Sequence, residues 1–148
     1  MKNKVYLDTS VISALFDERT PERMAQTSVA WNTLAILTYF FSELVIAELE
    51  RTPPNIRKKL IGATFGFSVL PLTEEARGLA AEYVTQGIFP QKYYDDALHV
   101  AMASVNRIGV LLSWNFTHLV KIKTRHMVAL VNAMKDYPAV EIISPPEL

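Results

Sequence analysis

The chain has no cysteine. Disulfides and thiolate metal sites are therefore excluded, and any metal must sit on oxygen or imidazole. It also has no excess of either charge: Lys plus Arg and Asp plus Glu are both 15 among 148 residues. The global positive field of a dedicated nucleic-acid binder is missing, so a nucleic-acid substrate needs local basic patches. Three are visible, Lys2 with Lys4, the run Arg57-Lys58-Lys59, and Lys121 with Lys123 and Arg125, although solvated helix and loop faces look the same in a sequence. Long apolar runs are missing too. The longest, around Leu34 to Phe41, contains Thr38 and falls well short of the ~18 residues of a membrane helix. Asp8 breaks the apolar stretch behind Lys2 and Lys4, which argues against a signal peptide. No repeat, low-complexity tract or linker appears. The expectation is a soluble cytoplasmic protein with no membrane association.

Apolar residues make up 50% of the chain and charged residues 20%, the balance of an ordinary globular protein. A chain of this length buries roughly 70% of its unfolded surface around one core, so one domain over residues 1–148 is expected. Lys4 to Leu7 reads as a short strand ending at Asp8, and Val11 to Phe16 carries apolar residues at helical spacing. Thr20-Pro21-Glu22 starts a helix running to about Leu34, with a hydroxyl at the N-cap, proline at the first helical position and an acid favoured by the dipole.

Ile36 to Phe41 reads as a buried strand, and Ser42 caps a helix that carries Glu48. That helix ends at Thr52-Pro53-Pro54, and Ile56 to Ile61 is again helical. Phe67 to Leu70 is a third strand. Thr73 with two following acids launches a helix that Gly87 stops after Gln86. From Tyr93 onward a helix rich in alanine is set for close packing on a sheet. Val110 to Leu112 is a fourth strand, Phe116 to Val120 a short turn or helix, Thr124 to Met134 a helix and Val140 to Ile143 a fifth strand. This alternation predicts an α/β domain of three layers, a mostly parallel five-stranded sheet with helices on both faces.

In such sheets ligands bind beyond the carboxyl ends of the strands, at the switch point of the winding. Asp8 ends the first strand, Glu48 lies about two turns into the helix after the second, Asp96 begins the helix before the fourth, and Asn115 follows the fourth. Hard divalent cations such as Mg²⁺ take one or two carboxylates plus waters and phosphate oxygens. A convergence of these residues would be a phosphodiester site, where a bound metal stabilises charge on the phosphoryl group and activates water. Each acid also fits a plainer role: Asp8 as an N-cap, Glu48 as a solvent-facing helix residue close to the buried side, Asp96 as a first-turn acid.

Taken together the segments V-Y-L-D-T-S-V-I-S-A-L around Asp8, S-E-L-V-I-A-E-L through Glu48, D-D-A-L-H-V-A-M-A around Asp96 and L-L-S-W-N-F-T-H-L around Asn115 resemble the PIN-domain family over nearly the whole chain. Within it they resemble the VapC-like ribonuclease toxins of type II toxin–antitoxin systems. The resemblance implies that Asp8, Glu48 and Asp96 are the catalytic, metal-binding acids, with Mg²⁺ or Mn²⁺ as cofactor and RNA as substrate. It implies that Asn115 is a further metal ligand, at a second site or through water, and that Ser10, Ser113 and Asn115 contact substrate. The two serines also fit turn positions.

At Asn115 the chain departs from the fourth acid common in the family, which favours one firmly held ion over two. The neighbouring Asp95 fits the ligand position less well than Asp96, whose D-A-L-H context matches. The family further implies a homodimer and a cognate antitoxin protein. His99 and His118 are expected to be structural rather than general bases, and Trp31, Trp114, Tyr93 and Tyr94 to pack in the core or at its rim rather than stack on bases. The competing function is a non-catalytic PIN scaffold that binds RNA or a protein. A haloacid-dehalogenase-like phosphatase needs a second acid where Ser10 stands, and a response-regulator receiver needs an aspartate where the third strand ends in Leu70-Pro71-Leu72.

Overall fold

The computed structural model describes residues 4–148, so Lys2 of the first basic patch lies outside the described residues. The chain order is β1 (Lys4–Leu7), α1 (Thr9–Leu15), α2 (Pro21–Leu34), β2 (Thr38–Ser42), α3 (Glu43–Glu50), α4 (Pro54–Ala63), β3 (Ser68–Leu70), α5 (Glu74–Thr85), α6 (Tyr94–Val105), β4 (Val110–Leu112), α7 (Ile122–Met134) and β5 (Glu141–Ile143). The strands form one sheet in the order β3-β2-β1-β4-β5. Every pairing is parallel, so the sheet is wholly rather than mostly parallel.

Alternation along β1 divides the core. Val5 and Leu7 point to one face, where Val11 and Ile12 of α1, Leu34 of α2, Val45 and Leu49 of α3 and Leu60 of α4 cover them. Tyr6 points to the other, covered by α5, α6 and α7. Helix α6 is buried continuously from Ala97 to Ser104, and its alanines are what allow a helix to lie so close to the sheet and its neighbour.

Several boundaries move for local reasons. Ile36 and Leu37 do not enter β2, because their N–H groups fold back onto Thr33 O and Leu34 O at 3.2 and 2.9 Å and close α2. The hydroxyl of Thr124 bonds to His118 O at 2.8 Å instead of capping a helix, and α7 begins two residues earlier at Ile122. Gly87 stops α5 as expected: it takes φ +79°, a left-handed conformation cheap only for glycine.

Under α5, α6 and α7 the apolar layer contains one polar knot. The hydroxyl of Tyr83 bonds to Asn132 Oδ1 and lies 3.2 Å from Ser104 Oγ, while Asn132 Nδ2 donates to Ser104 Oγ at 2.9 Å and to Pro138 O at 3.1 Å. Asn132 and Ser104 are fully buried, so removing one member strands the others. Asn132→Leu is expected to cost about 2–3 kcal/mol in urea unfolding with an unchanged m-value. A loss below about 0.5 kcal/mol would show that the knot contributes little.

Candidate active site

The chain winds outward from β1 in both directions: β2 and β3 lie on one side, β4 and β5 on the other. The switch point therefore falls between β1 and β4, and the residues leaving those two strands are the ones a ligand meets. Asp8 follows β1 and Ser113-Trp114-Asn115 follow β4. They are stitched together, with Asp8 N bonded to Leu112 O at 3.2 Å.

Asp8 serves as N-cap of α1, and its Oδ1 accepts from Ser10 N at 3.0 Å and from Ser10 Oγ at 2.5 Å. Its Oδ2 accepts from Ser113 Oγ at 2.5 Å. The same two hydroxyls hold the β4 loop, since Trp114 N donates to Ser10 Oγ and Asn115 N to Ser113 Oγ, both at 2.9 Å. The capping role is thus real, and it fixes a carboxylate that is only 4% exposed. Burial pushes the Asp8 carboxyl above the usual range, against the opposing pull of His99 and of the Ser10 and Ser113 hydroxyls. An acid so placed is costly to ionise without a cation.

Glu48 reaches the site from α3 and Asp96 from the first turn of α6. Glu48 Oε1 accepts from the hydroxyl of Thr9, directly after Asp8, and from His99 Nε2 at 2.8 Å. Burial raises the Glu48 carboxyl, but the His99 hydrogen bond and charge, with Thr9 and Arg51, outweigh it and leave the group below its ordinary value. Asp96 is raised, chiefly by burial and also by Asp8, with His99, His118 and the Asn115 side chain opposing. The Asn115 side chain is close enough to bias this carboxyl, but no hydrogen bond of ordinary geometry joins them. Asn115 Oδ1 is committed elsewhere, to His118 N at 2.9 Å.

His99 is the residue whose place the sequence did not disclose. It is buried, with Nε2 on Glu48 and Nδ1 2.7 Å from the Tyr6 hydroxyl, which in turn lies 2.8 Å from Ser42 Oγ. In the imidazolium form both ring nitrogens donate; in the neutral form Nε2 keeps its proton for the carboxylate and Nδ1 accepts from tyrosine. Burial pulls the imidazole down, yet Glu48, Asp8 and Asp96 together raise it above its ordinary value. Glu48 thus touches the histidine directly, and the charges of Asp8 and Asp96 act on it as well. His118 sits at the rim against Tyr93, with ring centroids 3.8 Å apart.

The donor set is all oxygen and suits a hard divalent cation. Asp8 keeps one of its roughly four lone-pair positions free, and Glu48 Oε2 makes no hydrogen bond among the described residues. Among those residues, however, no three His, Asp or Glu side chains are already arranged around a point that could hold a metal ion.

A family model for the PIN domain matches residues 5–115. The chain belongs to the PIN domain family. Among solved structures, this PIN domain is similar to the sarcin-ricin-loop-cleaving toxin VapC20 of Mycobacterium tuberculosis, at 16% identity and TM-score 0.61, covering 77% of this chain and 92% of that one. It is also similar to VapBC-1 of nontypeable Haemophilus influenzae, at 15% identity and TM-score 0.59 over 96% and 98% of the two chains. A third likeness is to VapBC2 of Rickettsia felis bound to promoter DNA, at 13% and 0.57 over 95% and 98%. At such identities the likeness is one of fold. Among curated proteins no sequence match is found. No helix among the described residues is long and apolar enough to cross a membrane.

Proposed function

We propose that this PIN domain is an endoribonuclease that hydrolyses RNA phosphodiester bonds with Mg²⁺ or Mn²⁺ held by Asp8, Glu48 and Asp96. The observation that carries the reading is that Asp8 is fixed by Ser10 and Ser113 and Glu48 by Thr9 and His99, with Asp96 three residues before His99 on α6, at the switch point of a PIN sheet. Carboxylate oxygens of these acids would hold the ion together with water, the mixed oxygen shell that Mg²⁺ takes. When bound, the cation supplies charge stabilisation on the phosphoryl oxygens and lowers the pKa of a water.

The protein's part is to place and neutralise. Ser10 and Ser113 lock the Asp8 carboxylate against rotation, and Thr9 with His99 does the same for Glu48. The His99 charge offsets part of the repulsion between acids before a cation arrives. Asn115, with its carbonyl tied to the turn, offers its amide nitrogen toward Asp96 and the substrate instead of acting as a fourth acid. This supports one firmly bound ion.

The VapBC neighbours support an antitoxin partner, and we propose further that this partner covers the crevice and that the chain acts as a homodimeric toxin in the cytoplasm. Light scattering of the purified chain is expected to give twice the monomer mass, and a monomer would remove the dimer.

The test is cleavage of RNA by the purified chain with added Mg²⁺ or Mn²⁺. Products with 3′-hydroxyl and 5′-phosphate ends are expected, with cleavage stopped by EDTA and restored by excess metal. Products formed in EDTA would exclude the metal role. The rival scaffold reading draws on the missing cage, and it requires RNA binding without products at any metal concentration.

A further inference from the structure

A cavity of about 320 Å³ opens beside the acid centre, lined in part by Ser10, Ser13, Thr20, Arg23, Trp114 and Asn115. Ser10, which grips Asp8, forms part of its wall, so the cavity continues the site rather than standing apart from it. We propose that it is a subsite for one nucleotide of single-stranded RNA, with a phosphate on Arg23 and a base against Phe116. The inference rests on the RNA substrate of the preceding section.

Arg23 lies on the exposed side of α2 and makes no ion pair among the described residues, whereas nearby Arg19 is held by Asp17. Its guanidinium carbon lies 4.9 Å from the centroid of Trp114 and 5.5 Å from that of Phe116. A guanidinium resting on aromatic faces keeps its in-plane N–H donors free, and that fork matches phosphate geometry. The platform beneath is rigid: the Trp114 indole N–H donates to buried Thr27 Oγ1 at 2.8 Å, tying the β4 loop to the helix that carries Arg23.

Phe116 by contrast is 45% exposed. Its ring meets Trp114 edge-on at 6.0 Å between centroids, which leaves ring surface open to solvent. An open aromatic face beside a free guanidinium and hydroxyls is the combination on which unstacked bases and their phosphates settle. In a chain of zero net charge, a local contact of this kind must supply the attraction that the overall field does not. Asp17 also lines the cavity, but its carboxylate is occupied by Arg19, which limits its repulsion of phosphate.

Trp31→Phe leaves Trp114 as the sole tryptophan, and its fluorescence can be titrated with a cleavage-resistant 2′-O-methyl oligouridylate in EDTA. A saturable change in emission is expected. Phe116→Ala is expected to weaken binding by about 5–100-fold, the range of one base–aromatic stack. Arg23→Gln should weaken it and lower the magnitude of the salt slope by about 0.7, one single-strand phosphate contact. Both positions are exposed, so both variants are expected to fold, which circular dichroism checks. Wild-type affinity and salt slope in both variants would overturn the subsite, as would oligonucleotide binding that leaves Trp114 emission unchanged, or no binding at all. Binding with these variant effects but no cleavage in metal would keep the subsite and sink the nuclease reading; cleavage with unaffected binding would do the reverse.

Discussion

Asp8→Asn is expected to abolish metal-dependent cleavage while raising the melting temperature of the metal-free protein. The two effects share a cause. Asp8 is buried and its carboxyl is raised, so the folded chain holds the proton more tightly than the unfolded chain does. As pH rises from the ordinary value of 3.8 through the raised folded value, the unfolded state loses its proton first and metal-free stability falls. At neutral pH the full cost of an ionised, poorly solvated carboxylate is present.

Asparagine removes that charge, still caps α1 and still accepts from Ser10. Each kcal/mol recovered should raise Tm by about 2–4 °C for a chain of this size. Divalent metal recovers the same cost in the wild type. Mn²⁺ at a hundred times its dissociation constant should add about 2.7 kcal/mol of stability, and Asp8→Asn should show little of this shift. The loss of cleavage should be at least about 10²–10³-fold, as for removal of one group that stabilises developing charge. Thermal shift with and without Mn²⁺ checks both halves; a wild type indifferent to Mn²⁺, or an Asp8→Asn variant less stable than wild type without metal, would contradict them.

His99→Ala should act in the opposite sense on stability. It takes one of two partners from the fully buried Tyr6 hydroxyl, which keeps Ser42 Oγ, and removes the imidazole from Glu48, whose side chain is only 23% exposed and keeps Thr9. A loss of about 2–4 kcal/mol is expected, below that of a fully buried pair because water can reach Glu48. Metal affinity should fall by about 10–100-fold, as when the residue orienting a ligand is removed.

The pair also gives a pH signature. The raised His99 contributes stability present below its ordinary 6.5 and lost as pH rises through the folded value. The lowered Glu48 contributes stability present above its ordinary 4.5 and lost as pH falls through the folded value. Their joint contribution is therefore greatest between about pH 4.5 and 6.5 and declines on either side. The stability difference between wild type and His99→Ala, measured by urea unfolding across pH, should peak in that window. A difference independent of pH would mean that the histidine acts by packing alone.

What the sequence disclosed follows from where the interactions close. The places of Asp8 at the end of β1 and of Asp96 in the first turn of α6 were legible, because period and capping chemistry need only a few neighbouring residues. The role of His99 was not legible. Its spacing of three from Asp96 puts both on one side of α6, but its partners Glu48 and Tyr6 are 51 and 93 positions away, and only the fold brings them together. The knot of Tyr83, Ser104 and Asn132 was hidden for the same reason.

Asn115 lies between these cases. Asparagine favours turns because its side chain bonds nearby backbone donors, and here its oxygen takes the His118 N–H at 2.9 Å, a contact that the residue type suggests but does not fix. Ile36 is a failure of propensity. A β-branched residue beside aromatics suggested the start of a strand, but the last turn of α2 claimed its N–H and left it 84% exposed.

Anomalous diffraction from crystals of the wild-type chain grown with Mn²⁺ tests most directly whether Asp8, Glu48 and Asp96 share one divalent ion, as proposed. The expected result is a single strong peak beyond the ends of β1 and β4, about 2.0–2.3 Å from carboxylate oxygens of at least two of the three acids, with water completing the shell. No peak there, or a peak held by other acids such as Asp17, would contradict it.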